Sequence, residues 1–515
     1  MQRRDFMKTV GSIAITASFP APSLAADIDP NDFKAIVLIS NSGGIDGFNM
    51  FVPVDNTAGI TTGYANYSSV RANVHISDVD LTPKLKTYID SNDELSFGKV
   101  DNPYAGNSVA ESYKKGTYVL DGAYGSKVGI NSMMPEMAHL ALQNKLAIVH
   151  NVGSIPKPIT KYDKKFFPNG YSAHDNGTRY VQTGQATNMH YQTGWLGRLA
   201  DNLKGINSGT IYPLNINFSE LGMNRMMFSF NSPSMNASLN GPVNFSFGTG
   251  RRPATTTTMR TIHSQYVSDV ERRDMFRKLY NSIRKEAVDE IDELGADWNN
   301  VENVQKPFAS LQNIYKDDIA SQNIFSGVDI DKSIHGMAEK LGNIGFLKSF
   351  KAAANMIQIA KNRGLNRVVI HIHVGGWDHH NSLASLHAYN LRGLSTGVGA
   401  FMRAIKHIGL EDNVTMMNYS EFGRTLADNG SGADHAWGNS YFVVGGAVKG
   451  GNYGMMPEMD PKSDYFGSRG ILIPTTSYSQ HFATVLKWFG ANDADLDKIF
   501  PELKNFSSGL LGFMG

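Results

Sequence analysis

Short, mostly continuous apolar runs recur along the chain, at Lys34 to Ser40, Leu146 to His150, Val368 to Val374, Val414 to Tyr419 and Tyr441 to Ala447. Runs of this kind predict strands covered on both faces, as in a parallel sheet. Between them, apolar residues at helical spacing predict helices over Met133 to Asn144, Phe346 to Lys361, Leu394 to His407 and Ser479 to Phe489, with another beginning near Thr178. Strands and helices taking turns predict a three-layer α/β/α sandwich around a mostly parallel central sheet. The span from His263 to Leu341 is charged and helix-compatible. It reads as a helical insertion or cap, at about residues 250–345, of a single catalytic domain 27–515.

The first 26 residues stand apart. Arg3-Arg4-Asp5-Phe6-Met7-Lys8 is a twin-arginine pattern, Val10 to Phe19 is modestly apolar, and Ser23-Leu24-Ala25 offers the small residues a signal peptidase needs. Gly11, Pro20 and Pro22 interrupt the run before it reaches bilayer-spanning length. The expectation is a signal peptide over residues 1–26, handled by the twin-arginine export machinery. The mature chain is then periplasmic or secreted, with no stable membrane span.

Composition narrows the chemistry. Lys+Arg 48 against Asp+Glu 47 leaves a net charge of +1, which gives no electrostatic case for nucleic acid. Cysteine is absent, so disulfides, thiolate catalysis and zinc–thiolate sites are excluded. A metal, if bound, is held by oxygen and imidazole.

Those ligand types gather just past the strand ends, where the chemistry of open α/β sheets collects. Asp46 lies in the turn Asn41-Ser42-Gly43-Gly44-Ile45-Asp46-Gly47 after the first strand, as a ligand or as a plain turn former. Asp378 and His380 follow Gly375-Gly376, two residues apart, so that on extended backbone both face one site. His371 and His373, inside the strand before them, read as buried, hydrogen-bonded strand histidines. Glu421 stands at the next strand end, either as a ligand or as a helix-N-terminal carboxylate paired with Arg424. Asp434-His435 falls in a loop of Gly, Ser and Asn, where an acid and an imidazole have little structural duty. Ser172 and His174 occupy a loop-to-helix junction, whose free N–H groups favour an anion; Ser172 is equally a helix cap.

Taken together, Gly43-Gly44-Ile45-Asp46-Gly47-Phe48-Asn49, Gly375-Gly376-Trp377-Asp378-His379-His380, Ser420-Glu421-Phe422-Gly423-Arg424-Thr425, Asp434-His435 with Gly438-Asn439, and Gly445-Gly446-Ala447-Val448 resemble the DUF1501 family. That family belongs to the alkaline phosphatase/sulfatase-like superfamily, and the resemblance runs in order from about Lys34 to Phe506. It implies an alkaline phosphatase-like fold and metal-assisted attack on a phosphate or sulfate ester, in a small molecule or a polysaccharide. By this resemblance Asp46, Asp378, His380, Glu421, Asp434 and His435 are metal ligands, for a divalent ion such as Zn, Mn or Ca. Ser172 is the candidate nucleophile, His174 its neighbour, and Arg424 an anion contact. The chain departs from the wider pattern at Phe422, where many relatives carry a histidine. The competing reading is a non-catalytic exported binding or assembly protein on the same fold.

Overall fold

The computed structural model describes residues 32–83, 85–86, 109–210, 212–218, 224–239, 293–298, 301 and 345–515. The signal segment 1–26 and nearly all of the insertion at about 250–345 lie outside the described residues.

The strand expected first, β1 (Lys34–Ser40), is buried along its interior and sits in the middle of a nine-stranded sheet. Around it in chain order come β2 (Phe51–Pro53), β3 (Thr117–Val119), β4 (Val128–Asn131), β5 (Leu146–Gly153), β6 (Asn215–Phe218), β7 (Ser234–Asn236), β8 (Arg367–His373) and β9 (Val414–Tyr419). They continue with β10 (Arg424–Asp428), β11 (Ala433–His435), β12 (Asn439–Gly445), β13 (Gly451–Tyr453) and β14 (Thr476–Ser477). The large sheet runs β13-β5-β12-β9-β1-β8-β6-β7, with β14 also on β5. Every pairing in it is parallel except those of β12, which runs against both β5 and β9. The sheet is therefore mixed α/β and mainly parallel, as its buried runs predict. β2, β3 and β4 make a separate antiparallel sheet, and β10 and β11 a short hairpin.

Helices cover both faces. On one face Asn215 donates to the Leu196 carbonyl of helix α6 (Trp195–Asn202), and Asn217, His371 and Tyr419 form a buried hydrogen-bonded row. Trp195 stacks there on Phe482 of α9 (Tyr478–Phe489), with ring centroids 4.6 Å apart. On the other face α7 (Gly345–Asn362) packs on β8 and against α8 (Leu383–His407). Phe350, Met356, Ile357, Leu394, Val398 and Phe401 are all buried, each contributing about 1.5–3 kcal/mol for a fully buried large side chain. Further helices among the described residues are α1 (Gly47–Met50), α2 (Tyr64–Val70), α3 (Val109–Lys114), α4 (Pro135–Leu142), α5 (His174–Thr183) and α10 (Asp493–Ile499).

An ion pair ties α4 to α8. Arg392 donates to both Glu136 oxygens, at 2.6 and 2.8 Å, and the Ser395 hydroxyl adds a third bond at 2.7 Å. Burial alone raises the Glu136 carboxyl pKa, but Arg392 and Ser395 more than offset it and hold the group below its ordinary range. A depressed folded-state pKa means stability that is full above the ordinary carboxyl value and lost as pH falls through the folded value. Glu136→Ala is expected to destabilise the fold by about 3 kcal/mol at neutral pH, because it removes one member of a largely buried ion pair. It should also flatten the acid limb of stability against pH, as read by denaturant titrations from neutral pH down through the ordinary carboxyl range to about pH 3.

The register explains where the chemistry falls. Ser40 is opposite His373 on β8 and opposite Tyr419 on β9. Three neighbouring strands thus end flush, and the loops after them leave side by side. β12, the reversed strand, enters from that same edge at Asn439, carrying the hairpin of β10 and β11 just ahead of it. Among the described residues no helix is long and apolar enough to cross a membrane.

Candidate metal centre

Asp378 lies at the middle of the flush edge. Its Oδ1 is 3.0 Å from His435 Nε2 and 3.1 Å from His380 Nε2, and the two imidazole nitrogens are 3.0 Å from each other. On the other side, His174 Nε2 is 3.6 Å from Asp378 Oδ2. Ligating atoms of His174, Asp378 and His435 all lie within 4.8 Å of one another. Two overlapping donor groups that could hold a metal ion therefore share Asp378 and His435, with His380 completing one and His174 the other.

Each histidine is held by its second nitrogen. His435 Nδ1 donates to the Ser172 carbonyl (3.1 Å), His380 Nδ1 to Asp434 Oδ1 (3.2 Å) and His174 Nδ1 to Glu421 Oε1 (2.7 Å). An acceptor at Nδ1 fixes the Nε2-unprotonated tautomer, and such outer partners orient the ligand histidines of metal sites. Three Nε2 lone pairs and a carboxylate then face one small volume. That arrangement is repulsive without a positive charge inside it. Donor atoms about 2.1 Å from a shared cation stand about 3.0–3.4 Å from one another, and the separations around Asp378 Oδ1 match that spacing. The donor set of nitrogen and oxygen suits a borderline divalent ion.

The protonation tendencies follow the contacts. Burial works against the Asp378 charge, but the hydrogen bond from Arg424, with the His435 imidazole alongside, holds its carboxyl well below the usual range. Burial pushes His435 down, with the adjacent Asp378 carboxylate acting the other way. The bond to Glu421 raises His174, against burial. Burial also opposes the charges of Glu421 and Asp434, yet both are lowered, Glu421 first by His174 and Asp434 first by His380.

Several residues sit otherwise than the motifs imply. Glu421 and Asp434, expected as ligands, point at histidines instead. Glu421 Oε1 takes His174 and the Gly43 N–H at 2.8 Å, while Asp434 takes His380, Asn429 and Arg469. Asp434 and His435 belong to β11 rather than to a loop, with His435 opposite Arg424. Arg424 opens β10 rather than following Glu421 on a helix, and it is fully buried. It donates to the carbonyls of Gly43, Gly44, Trp377 and Ala433 and to Asp378 Oδ1 at 2.6 Å. With those bonds made, Arg424 ties the Gly43–Gly44 turn, the Trp377–Asp378 loop and β11 together. Asp46 is not brought to the cluster. Its Oδ1 caps α1 through the Phe48 and Asn49 N–H groups, and its Oδ2 pairs with Arg71, both side chains being buried. Both carboxylate oxygens are thereby engaged away from the cluster.

His174 does begin α5, at the junction expected, and Gly177 seats that helix: a Cβ there would meet the Glu421 carbonyl at 2.7 Å. Ser172 does not cap α5, whose cap is Ala173, and the group it turns to the cluster is its carbonyl. Phe422 lies 4.4 Å from the His435 ring and 4.9 Å from the His174 ring, forming an apolar wall. Ser420 is a participant the motifs do not single out. Its hydroxyl accepts the Gly44 and Ile45 N–H groups and donates to the Asn41 carbonyl, fixing the first turn against the end of β9.

An outer partner of a ligand histidine is commonly worth about 10–100-fold in metal affinity. Asp434→Asn is therefore expected to weaken binding of added Zn by about that factor, as measured by competition with a chromogenic chelator, with the melting temperature little changed.

The family profile described as "Protein of unknown function (DUF1501)" matches residues 33–466. No curated protein matches the chain. Among solved structures, that of a 2-O GAG sulfatase is similar at a TM-score of 0.27 and 12% identity, covering 75% of this chain and 72% of that one.

Proposed function

Since this chain belongs to the DUF1501 family, whose description assigns no activity, we propose from the site itself that it is an exported, metal-dependent hydrolase of phosphate or sulfate esters. The observation that carries this reading is the convergence of Asp378 Oδ1 with the Nε2 atoms of His380 and His435, and of His174 across the carboxylate. A divalent ion held there would polarise the ester and neutralise the charge that builds on its oxygens. The residues of this chain do the rest. Glu421, Asp434 and the Ser172 carbonyl hold three imidazoles in one tautomer, and Arg424 holds Asp378 ionised and in place. Phe422, walling one side with carbon, favours a single ion over a pair. The twin-arginine segment, with delivery to the periplasm or beyond, and the assignment of residues 27–515 to one catalytic domain with a helical cap, are parts of the same proposal.

Protein purified without chelator is expected to carry Zn, Mn or Ca in stoichiometric amount and to hydrolyse at least one of a panel of aryl phosphates and aryl sulfates. Chelation should abolish the rate and metal should restore it. Metal-replete protein with no turnover on any ester would favour the binding-protein reading instead.

A further inference from the structure

Resting on the hydrolase reading, we infer that Ser42 is the nucleophile of this site and His373 its general base. Ser42 stands two residues beyond the end of β1, the strand at the centre of the flush edge. Gly43 and Gly44, at φ +114° and +78°, then turn the chain sharply into α1. A serine on a sharp strand-to-helix turn has its hydroxyl lifted above the sheet, where a substrate reaches it. The turn is pressed against the metal-ligand loop. A Cβ on Gly43 would lie 2.6 Å from the Asp378 amide nitrogen, and the Ser42 carbonyl accepts the Trp377 N–H at 3.3 Å. Ser42 is thus fastened to the residue before Asp378.

The Ser42 hydroxyl is 3.3 Å from His373 Nε2, and both residues are half-buried rather than sealed. Catalytic hydrogen bonds are often this long before substrate is bound. Gly375 keeps the pair clear, since a Cβ there would come within 2.6 Å of His373 Nε2 and 3.2 Å of Ser42 Oγ. The other nearby histidines are committed elsewhere: His371 to Asn217 and Tyr419, and His174, His380 and His435 to the cluster. Burial lowers His373, with Glu421 opposing, so that it is a neutral acceptor at neutral pH.

In the first step the Ser42 oxygen forms a bond to the phosphorus or sulfur of the ester while its proton passes to His373 Nε2. The bond to the ester oxygen breaks, and that oxygen leaves with the electron pair and takes a proton from solvent. In the second step a water oxygen bonds to the phosphorus or sulfur. Ser42 leaves with its pair and recovers the proton from His373, and the water releases one proton to solvent.

The test uses the full chain and diisopropyl fluorophosphate, which reports an activated serine without requiring the natural ester. Peptide mass spectrometry is expected to find the adduct on Ser42, formed about 100-fold more slowly in His373→Gln. No adduct on Ser42 in the unaltered protein, an adduct on Ser172 in its place, or an equal labelling rate in His373→Gln would overturn the assignment. Ester turnover by protein whose Ser42 does not label would remove Ser42 and leave the hydrolase reading standing. A labelled Ser42 in protein that turns over no ester would keep the activated serine and remove the hydrolase.

Discussion

Asp378→Ala is expected to leave the chain folded but unable to hold metal or turn over an ester. Asp378 is the only carboxylate common to both donor groups, which also share His435, and its Oδ1 is the atom on which His380, His435 and Arg424 converge. Loss of an outer partner costs about 10–100-fold in metal affinity, and loss of the shared ligand should exceed that, leaving no metal after gel filtration. The fold is expected to survive, because Asp378 is itself well exposed and Arg424 keeps its four carbonyl acceptors. Metal analysis and a thermal melt on the same sample read both halves of the expectation. A metal-replete Asp378→Ala protein would show that the ion sits elsewhere.

Asp46→Ala should do the reverse. The substitution strands the buried Arg71 guanidinium, whose Nη1 then keeps only the Thr425 carbonyl at 3.3 Å, and it uncaps α1. Removing one member of a buried pair costs about 3–5 kcal/mol, and an N-cap about 0.5–2 kcal/mol more. Arg71 caps the C-terminus of α2 and donates to the Thr425 carbonyl of β10, so the loss reaches the joint between the first turn and the hairpin. The fraction that remains folded should nevertheless bind metal with unchanged stoichiometry. Denaturant unfolding gives the stability, and metal analysis of the folded fraction separates this role from that of a ligand.

These two aspartates mark how far the sequence can be read. Both follow a buried strand and then a pair of glycines, Gly43-Gly44 and Gly375-Gly376, so strand-end position selects them equally. What separates them is the partner: Arg71 comes from a stretch with no clear periodicity, 25 residues after Asp46, and nothing in the local pattern announces it. The central strands are legible for the opposite reason. β1 and β9 must be apolar on both faces to lie inside a covered sheet, and that demand is written in consecutive residues. The reversal of β12 is hidden, because a buried strand looks the same in either direction.

The division between ligand and orienting group is hidden in the same way. Glu421 and Asp434 have the chemistry of ligands and sit beside ligand histidines, and only the direction of each carboxylate shows that it grips an Nδ1 atom. Arg424 is similar: a charged residue at a strand end reads as an anion contact, whereas its Nε, Nη1 and Nη2 each donate to backbone carbonyls, and Nη2 to Asp378 as well. Ser42 and His373 are visible in the sequence as a turn residue and a strand residue. Their meeting depends on the parallel register that sets Ser40 opposite His373.

The most direct test of the metal centre is anomalous scattering from crystals grown with Zn, Mn or Ca in excess. The geometry predicts a peak bonded to Asp378 and to the Nε2 atoms of His435 and at least one of His174 and His380, with Glu421 and Asp434 still on their histidines. Crystals that show no peak there, with the imidazoles joined instead through protons on Nε2, would contradict it.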